Sequence, residues 1–357
     1  MISMFKSQVR MNFKIISLPG DGIGPEVVAA GVQILRAVEA KSASVQFDIQ
    51  AMPCGAGEYL ENGDPLPKPT VEACRQADAI LLGAMGMPNV RWPDGTEMVP
   101  QIDLREILDL YAGVRPIFLY NSAHCPLKGV DAGQIDFVIF RENTEGLFFS
   151  RKNSYPANAE YVEDTLRVSR EGATRIIRSA FQYASRRRNF VTLVDKANVL
   201  PSMAYMRAIF DDLHQKEFPI ARVDRVYVDA ASLFLIEHPK HFDVIVTENM
   251  FGDILSDLAA GLVGGMGMAP SADIGERHAV FQPSHGTAPS IARQGIANPV
   301  ATILSVAMML DYLKLPAEAG SIRSAVKRAL ANPEHATQDL GGNLSTDAMT
   351  KAILSEL

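Results

Sequence analysis

A chain of 357 residues with 47% hydrophobic content can bury a large core and is long enough for two domains. Its net charge of −7, with lysine and arginine dispersed, offers no basic stripe for nucleic acid or an anionic membrane, so an anionic ligand needs a local positive cluster. The longest apolar stretch, around Ala301 to Leu310, is too short to span a bilayer, and the start lacks the apolar core and cleavage site of a secretory signal, which together predict a cytoplasmic protein.

Along the chain, residues 1–10 read as an extension upstream of the fold, because Met11 opens the first patterned segment. Lys14–Leu18 predicts a strand, followed by a turn through Gly20, Gly22 and Gly24 and a helix opening at Pro25, where the missing backbone N–H costs nothing. The turn lacks the third glycine of a dinucleotide fingerprint, and no acid closes a second strand about twenty residues on, so it is read as a strand-to-helix connection. Further strands are predicted at Ala79–Leu82, Phe137–Phe140, Phe190–Val194, Val226–Val228 and Val244–Thr247. Helices are predicted at Leu104–Ala112, Arg170–Arg186, Met203–Lys216 and Asn298–Leu313, the Met-rich face of the last being core. This alternation is the pattern of an α/β protein with helix-covered sheets. Cys54, Cys74 and Cys125, odd in number and without metal or redox spacing, read as free thiols.

Several segments carry chemistry. Arg105 and Arg115 lie ten residues apart, at the start and just past the end of a predicted helix, and Arg141 ends a strand before Glu142-Asn143-Thr144-Glu145-Gly146. A single arginine is usually a solvated charge, but three planar forks that converge suit a di- or tricarboxylate. Asp253 and Asp257, four apart on a predicted helix, stack on one face and repel unless a cation sits between them. With Asp229, at the end of the strand Val226–Val228, they offer three hard oxygen ligands for Mg²⁺ or Mn²⁺; taken singly, such acids also suit a helix N-terminus. Lys196, in Asp195-Lys196-Ala197-Asn198, stands at the carboxyl end of a strand, where open α/β sheets place ligands, and could serve as acid or base beside a cation. The loop from Pro283 through Ser290, and then Gly295-Ile296-Ala297-Asn298-Pro299, suits the adenosine end of a nucleotide, although turn chemistry alone accounts for its glycines and prolines.

In this order, and over nearly the whole chain, these segments resemble the isocitrate/isopropylmalate dehydrogenase family, most specifically in Gly252-Asp253-Ile254-Leu255-Ser256-Asp257 and Asp195-Lys196-Ala197-Asn198. The resemblance implies two α/β domains without an ordinary Rossmann unit: a discontinuous nucleotide-binding domain, 1–111 plus 264–357, and a central domain, 112–263, that forms a homodimer. It implies that Arg105, Arg115 and Arg141 bind substrate and that Asp253 and Asp257 hold Mg²⁺ or Mn²⁺ with Asp229, while Lys196 and Asp229 act in the partner's active site as the catalytic pair. Cofactor contacts are implied for His285, Gly286, Thr287, Ala288, Ser290, Ile291, Asn298 and Asn198. The implied reaction is metal-dependent oxidation of a 3-substituted malate at C2, hydride passing to a nicotinamide, then loss of CO₂ and reprotonation at C3.

The sequence departs from the family at three places. Phe148 stands where members commonly carry the tyrosine that assists reprotonation, a loss shared with some non-catalytic subunits, so a regulatory subunit or metabolite-binding pseudo-enzyme is the alternative of a different class. Ser290 is neither the aspartate of NAD-dependent members nor the lysine of NADP-dependent ones; Ile291 favours NAD, and Arg293 nearby leaves NADP open. Gln282 stands where many relatives have glutamate. The turn that reads the C3 substituent, with Met98, Val99, Pro100, Gln101 and Ile102, mixes apolar surface with one amide. The favoured substrates are 3-isopropylmalate or D-malate and tartrate, ahead of isocitrate or homoisocitrate.

Overall fold

A computed structural model of the chain describes residues 10–42, 44–153, 155 and 158–357. The expected extension at residues 1–10 falls outside the described residues except for Arg10, and the first strand opens at Met11. The chain divides into two compact units, Met1–Leu104 with His278–Leu357, and Arg105–Arg277.

The elements of the first half are β1 (Met11–Gly20), α1 (Gly24–Lys41), β2 (Val45–Ala51), α2 (Ala56–Asn62), α3 (Lys68–Arg75), β3 (Ala79–Ala84), α4 (Pro100–Ile107), β4 (Ala112–Phe118) and β5 (Asp136–Glu142). Next come α5 (Arg170–Ala184), β6 (Phe190–Asp195), α6 (Pro201–Glu217), β7 (Arg222–Tyr227), α7 (Val228–Glu237), β8 (Val244–Thr247), α8 (Asn249–Gly261) and β9 (Pro270–Ile274). The chain ends with β10 (Ala279–Pro283), α9 (Val300–Tyr312), α10 (Pro316–Ala331) and α11 (Thr346–Glu356).

In the first unit β2, β1, β3 and β10 pair in parallel. Parallel strands are covered on both faces, so β1 and β3 read as continuous apolar runs, and Ile15, Ile16, Leu18 and Leu81 are fully buried or nearly so. The glycine turn after β1 is a packing device: a Cβ on Gly24 would stand 2.1 Å from the Pro19 carbonyl oxygen, and Gly20 takes φ +70°. Met309 in α9 is buried, so the methionine face belongs to the core.

In the second unit the order is β9-β4-β5-β8-β6-β7, with β4 antiparallel to both β5 and β9 and the other pairs parallel. Beneath it Phe137, Ile139, Val194, Ile245, Leu255 and Ala259 form one core cluster. Two predicted elements need correction. The helix expected over Leu104–Ala112 stops at Ile107; Asp109 takes φ +48° and Ala112 opens β4, because Val114 and Ile117 are buried in the sheet. The strand expected at Val226–Val228 is β7, ending at Tyr227 with Val228 already in α7; its Arg222, Asp224 and Arg225 suit an edge strand and masked the apolar pattern. The units divide at Leu104/Arg105 and Arg277/His278 rather than at 111/112 and 263/264, since residues 264–277 include β9, which pairs with β4. Among the described residues no helix is long and apolar enough to cross a membrane.

Candidate active site

The sheet register of the second unit gathers the three arginines. Arg141 of β5 sits opposite Gly113 of β4, Arg115 lies two residues along β4, and Arg105 comes from α4. All three are buried, at 7%, 5% and 2% exposure for Arg105, Arg115 and Arg141, which is unusual enough for arginine to require partners. Arg105 Nε donates to Asp273 Oδ2 at 2.7 Å. Arg141 donates from Nε and Nη2 to Asn249 Oδ1 at 3.0 and 2.7 Å, and from Nη1 to Asp253. Arg115 donates from Nη1 to Ser256 Oγ at 3.2 Å and lies 4.0 Å from Asp253 and 3.9 Å from Asp257; its Nε has no hydrogen-bond partner among the described residues. Burial, and then the neighbouring Arg115, pushes Arg141 down to about 9; burial and Arg105 lower Arg115. A desolvated cluster of like charges of this kind stabilises an incoming carboxylate strongly, because little water remains to compete with it.

Helix α8 brings the carboxylates to this cluster. Its N-cap Glu248 accepts the Phe251 N–H at 2.6 Å, so the helix starts directly after the buried strand β8. Asp253 and Asp257 lie one turn apart on it, with side chains 42% and 57% exposed. Burial raises the Asp257 carboxyl, Arg115 and Arg141 lower it, and the Asp253 charge raises it further. Two half-exposed carboxylates whose mutual repulsion is only partly offset fit a divalent cation. Gly252 makes the approach possible: a Cβ there would lie 2.7 Å from both Cβ and Cγ of Arg141.

Lys196 and Asp229 form a separate pair. Lys196 Nζ donates to Asp229 Oδ1 at 2.6 Å, and this hydrogen bond holds the Asp229 carboxyl below the usual carboxylate range. Asp195, fully buried, accepts two bonds from Arg207 at 2.8 and 2.7 Å and one from Ala197 N–H at 3.0 Å, which fixes the loop carrying Lys196 and the exposed Asn198. Among the described residues no hydrogen bond or ion pair joins this pair to Asp253 or Asp257, and no group of three His, Cys, Asp or Glu forms a metal cluster. The trio Asp229, Asp253 and Asp257 read from the sequence is therefore not assembled by one chain.

Phe148 sits in a 3-10 turn (Leu147–Ser150) with its ring centroid 5.3 Å from the Arg141 guanidinium carbon, a cation–π contact. Gln101 and Ile102 occupy the first turn of α4, and Gln101 Oε1 has no partner among the described residues.

In the first unit the loop after β10 is tied to the glycine turn. Thr287 O accepts the Ile23 N–H at 2.9 Å, and a Cβ on Gly22 would stand 2.0 Å from that oxygen. Ala288 and Ile291 pack on Ile23, Val27 and Ala297. His285 Nδ1 lies 2.9 Å from Gly286 O, and burial lowers its ring below the usual histidine range. Ser290 is exposed, with its carbonyl accepting from Gln294; Asn298 is 6% exposed, caps the Val300 N–H at 3.0 Å and donates to Asp339 at 3.0 Å. The sequence shows Asn143 and Gly252 within motifs but assigns a role to neither, nor to Asn249 or Asp273. Gly252 and Asn249 closely precede Asp253 and had a local signal, whereas Asp273 stands 168 residues from Arg105 and had none.

The family model described as isocitrate/isopropylmalate dehydrogenase matches residues 14–353. The chain belongs to this family. Within it, the 3-isopropylmalate dehydrogenase of Listeria monocytogenes serotype 4b (strain F2365) is 44% identical over 354 residues, covering 97% of this chain and 99% of its own. That of Moorella thermoacetica (strain ATCC 39073 / JCM 9320) is 45% identical over 329 residues, covering 89% and 91%. Among solved structures, isocitrate dehydrogenase from Methylococcus capsulatus superposes with a TM-score of 0.86 at 38% identity, covering 96% of this chain and 99% of that one. A β-decarboxylating dehydrogenase from Thermococcus kodakarensis, in its apo form, gives 0.80 at 37%, covering 96% of both. The fold expected from the sequence stands, as does the reaction class of a dehydrogenase that oxidatively decarboxylates a 3-substituted malate.

Proposed function

We propose that this family member is a divalent-metal-dependent, NAD-linked dehydrogenase whose substrate is 3-isopropylmalate. The observation that carries the reading is the buried guanidinium trio facing two half-exposed carboxylates one helical turn apart. That juxtaposition fits a malate held by its carboxylates, and the 3-isopropylmalate dehydrogenases among its relatives support the choice of substituent. When bound, Mg²⁺ or Mn²⁺ would lower the pKa of the C2 hydroxyl and stabilise the charge left by loss of CO₂, while the nicotinamide takes the hydride. Arg105, Arg115 and Arg141 bind and orient the carboxylates, and Asp253 and Asp257 hold the cation. Lys196, held in place by its hydrogen bond to Asp229, moves the C2 proton. Phe148 has no proton to give; its ring covers the Arg141 fork, and reprotonation at C3 falls to Lys196 or water. The loop His285–Ile291 with Asn298 takes the adenosine end, and the neutral His285 ring suits an uncharged contact there. Ser290 places no carboxylate against a 2′-phosphate, so NADP is accepted more readily than by an acid-bearing site.

Lys196 and Asp229 complete the site from a second copy of the chain. Their separation from Asp253 and Asp257, and the exposed Leu233, Ile236 and Ile254 on α7 and α8, support a homodimer. Mixing inactive Lys196→Met and Asp253→Asn proteins under subunit exchange should restore about a quarter of wild-type turnover, since each mixed dimer of a two-fold assembly rebuilds one intact site. Mixtures as dead as their components would rule out sharing.

The decisive assay is NADH and NADPH formation by the purified chain with Mn²⁺ and 3-isopropylmalate, D-malate, tartrate, isocitrate or homoisocitrate. Turnover with 3-isopropylmalate and NAD is expected to exceed every other pair. Folded protein silent on the whole panel would instead establish a subunit that binds without catalysis, as the loss of a phenol at position 148 would allow.

A further inference from the structure

Among the described residues Asp253, Asp257 and Asp273 form ion pairs with the arginine cluster, and they differ in kind. Asp253 and Asp257 are half exposed on α8, where the reading above gives them to a cation. Asp273 is not available to any solute: its side chain is 1% exposed. It lies on β9 directly opposite Gly113 of β4, the residue that also faces Arg141 on the other side. Its Oδ2 accepts Arg105 Nε at 2.7 Å and its Oδ1 accepts Asn143 Nδ2 at 2.8 Å. Gly113 leaves the room for this, since a Cβ there would stand 2.8 Å from Asn143 Oδ1, and the Asn143 backbone is itself fixed by donating to Tyr111 O at 2.9 Å. A buried carboxylate held through one oxygen by a rigid amide has a fixed position, so whatever the other oxygen binds inherits that position. The same charge opposes the loss of protons from Arg115 and Arg141 that burial favours.

We propose that Asp273 is a positioning residue for the substrate: it clamps the Arg105 fork by its Nε and sets the angle at which that fork meets a substrate carboxylate, with Asn143 and Gly113 as its supports. The inference rests on the reading that the arginine trio binds the carboxylates. Arg105 has a long, flexible stem, and a fork that is free to rotate gives up rotamer freedom each time substrate binds; a clamped fork has given it up on folding.

The test uses the full chain and steady-state kinetics with 3-isopropylmalate and NAD. Asp273→Asn keeps the volume and removes the charge. It should raise KM for the hydroxy acid about tenfold, leave KM for NAD unchanged and lower kcat much less. Arg105→Lys should raise the same KM, and the double variant should be no worse than the weaker single, because both changes act through one fork. Multiplied effects, or a KM for the hydroxy acid that Asp273→Asn leaves unchanged, would overturn the proposal. So would parallel loss in both KM values and kcat with a lowered thermal midpoint, the mark of a structural role. Should Asp273→Asn not fold, Asn143→Ser, which leaves the charge but frees it, must raise the hydroxy-acid KM alone, and its failure to do so is equally fatal. If Arg105→Lys itself leaves that KM unchanged, the substrate reading fails; if only Asp273→Asn does, this inference alone falls.

Discussion

Asp253→Asn is expected to reduce turnover about 10³-fold or more while leaving a folded protein, because a metal site loses one of its hard anionic ligands and the charge stabilisation that the cation supplies in the transition state. The side chain is 42% exposed, and asparagine keeps an oxygen that can accept from Arg141, so no buried group is orphaned. The change also relieves repulsion with Asp257, whose carboxyl is raised by burial and by the Asp253 charge. Stability should therefore move by no more than about 1 kcal/mol in either direction. Calorimetry with Mn²⁺ reads the loss of binding, and a thermal melt reads the fold. Wild-type-like kcat in Asp253→Asn, or wild-type turnover that survives excess chelator, would remove the metal from the mechanism.

The second large effect concerns Gly252. Helix propensity alone predicts that Gly252→Ala in α8 stabilises the protein by about 1 kcal/mol. The packing predicts the opposite sign. The added methyl would meet Cβ and Cγ of Arg141 at 2.7 Å and its Cα at 3.2 Å, and Arg141, at 2% exposure and tied to Asn249 by two bonds, cannot swing aside. Helix α8 must then move off β5, at a cost of about 1–3 kcal/mol. It carries Asp253 and Asp257 with it, and a displacement of this kind from the arginine trio should cost about 10²-fold in kcat/KM. Chemical denaturation together with steady-state kinetics separates the two expectations; a more stable and fully active Gly252→Ala would show that the helix does not need the close approach.

How much of this was legible in the sequence depends on how local each feature is. The strands β1, β3, β5, β6 and β8 announce themselves because a parallel strand covered on both faces is one apolar run, as in Ala79–Ala84. The Asp253–Asp257 spacing is a property of one helix and carries over intact, and Asp195-Lys196-Ala197-Asn198 sits at the end of β6 where its strand pattern places it. Edge strand β7 is half hidden by charges, and β4 has no assignment from the sequence beyond Ala112, the last residue of the expected helix; its identity comes from pairing with β5 and β9.

By itself, then, the sequence determined the α/β class, the family and the side chains that carry the chemistry, since hydrophobic period, turn residues and short motifs are all written within a few residues. Only the tertiary structure decided which groups share an environment. It placed Asp273 against Arg105 across 168 residues, Gly252 under Arg141, and the Lys196–Asp229 pair apart from the carboxylates of α8. The physical reason is that strand register and the burial of charge are set by pairing between distant segments, and a fully buried carboxylate looks, in sequence, like any other aspartate.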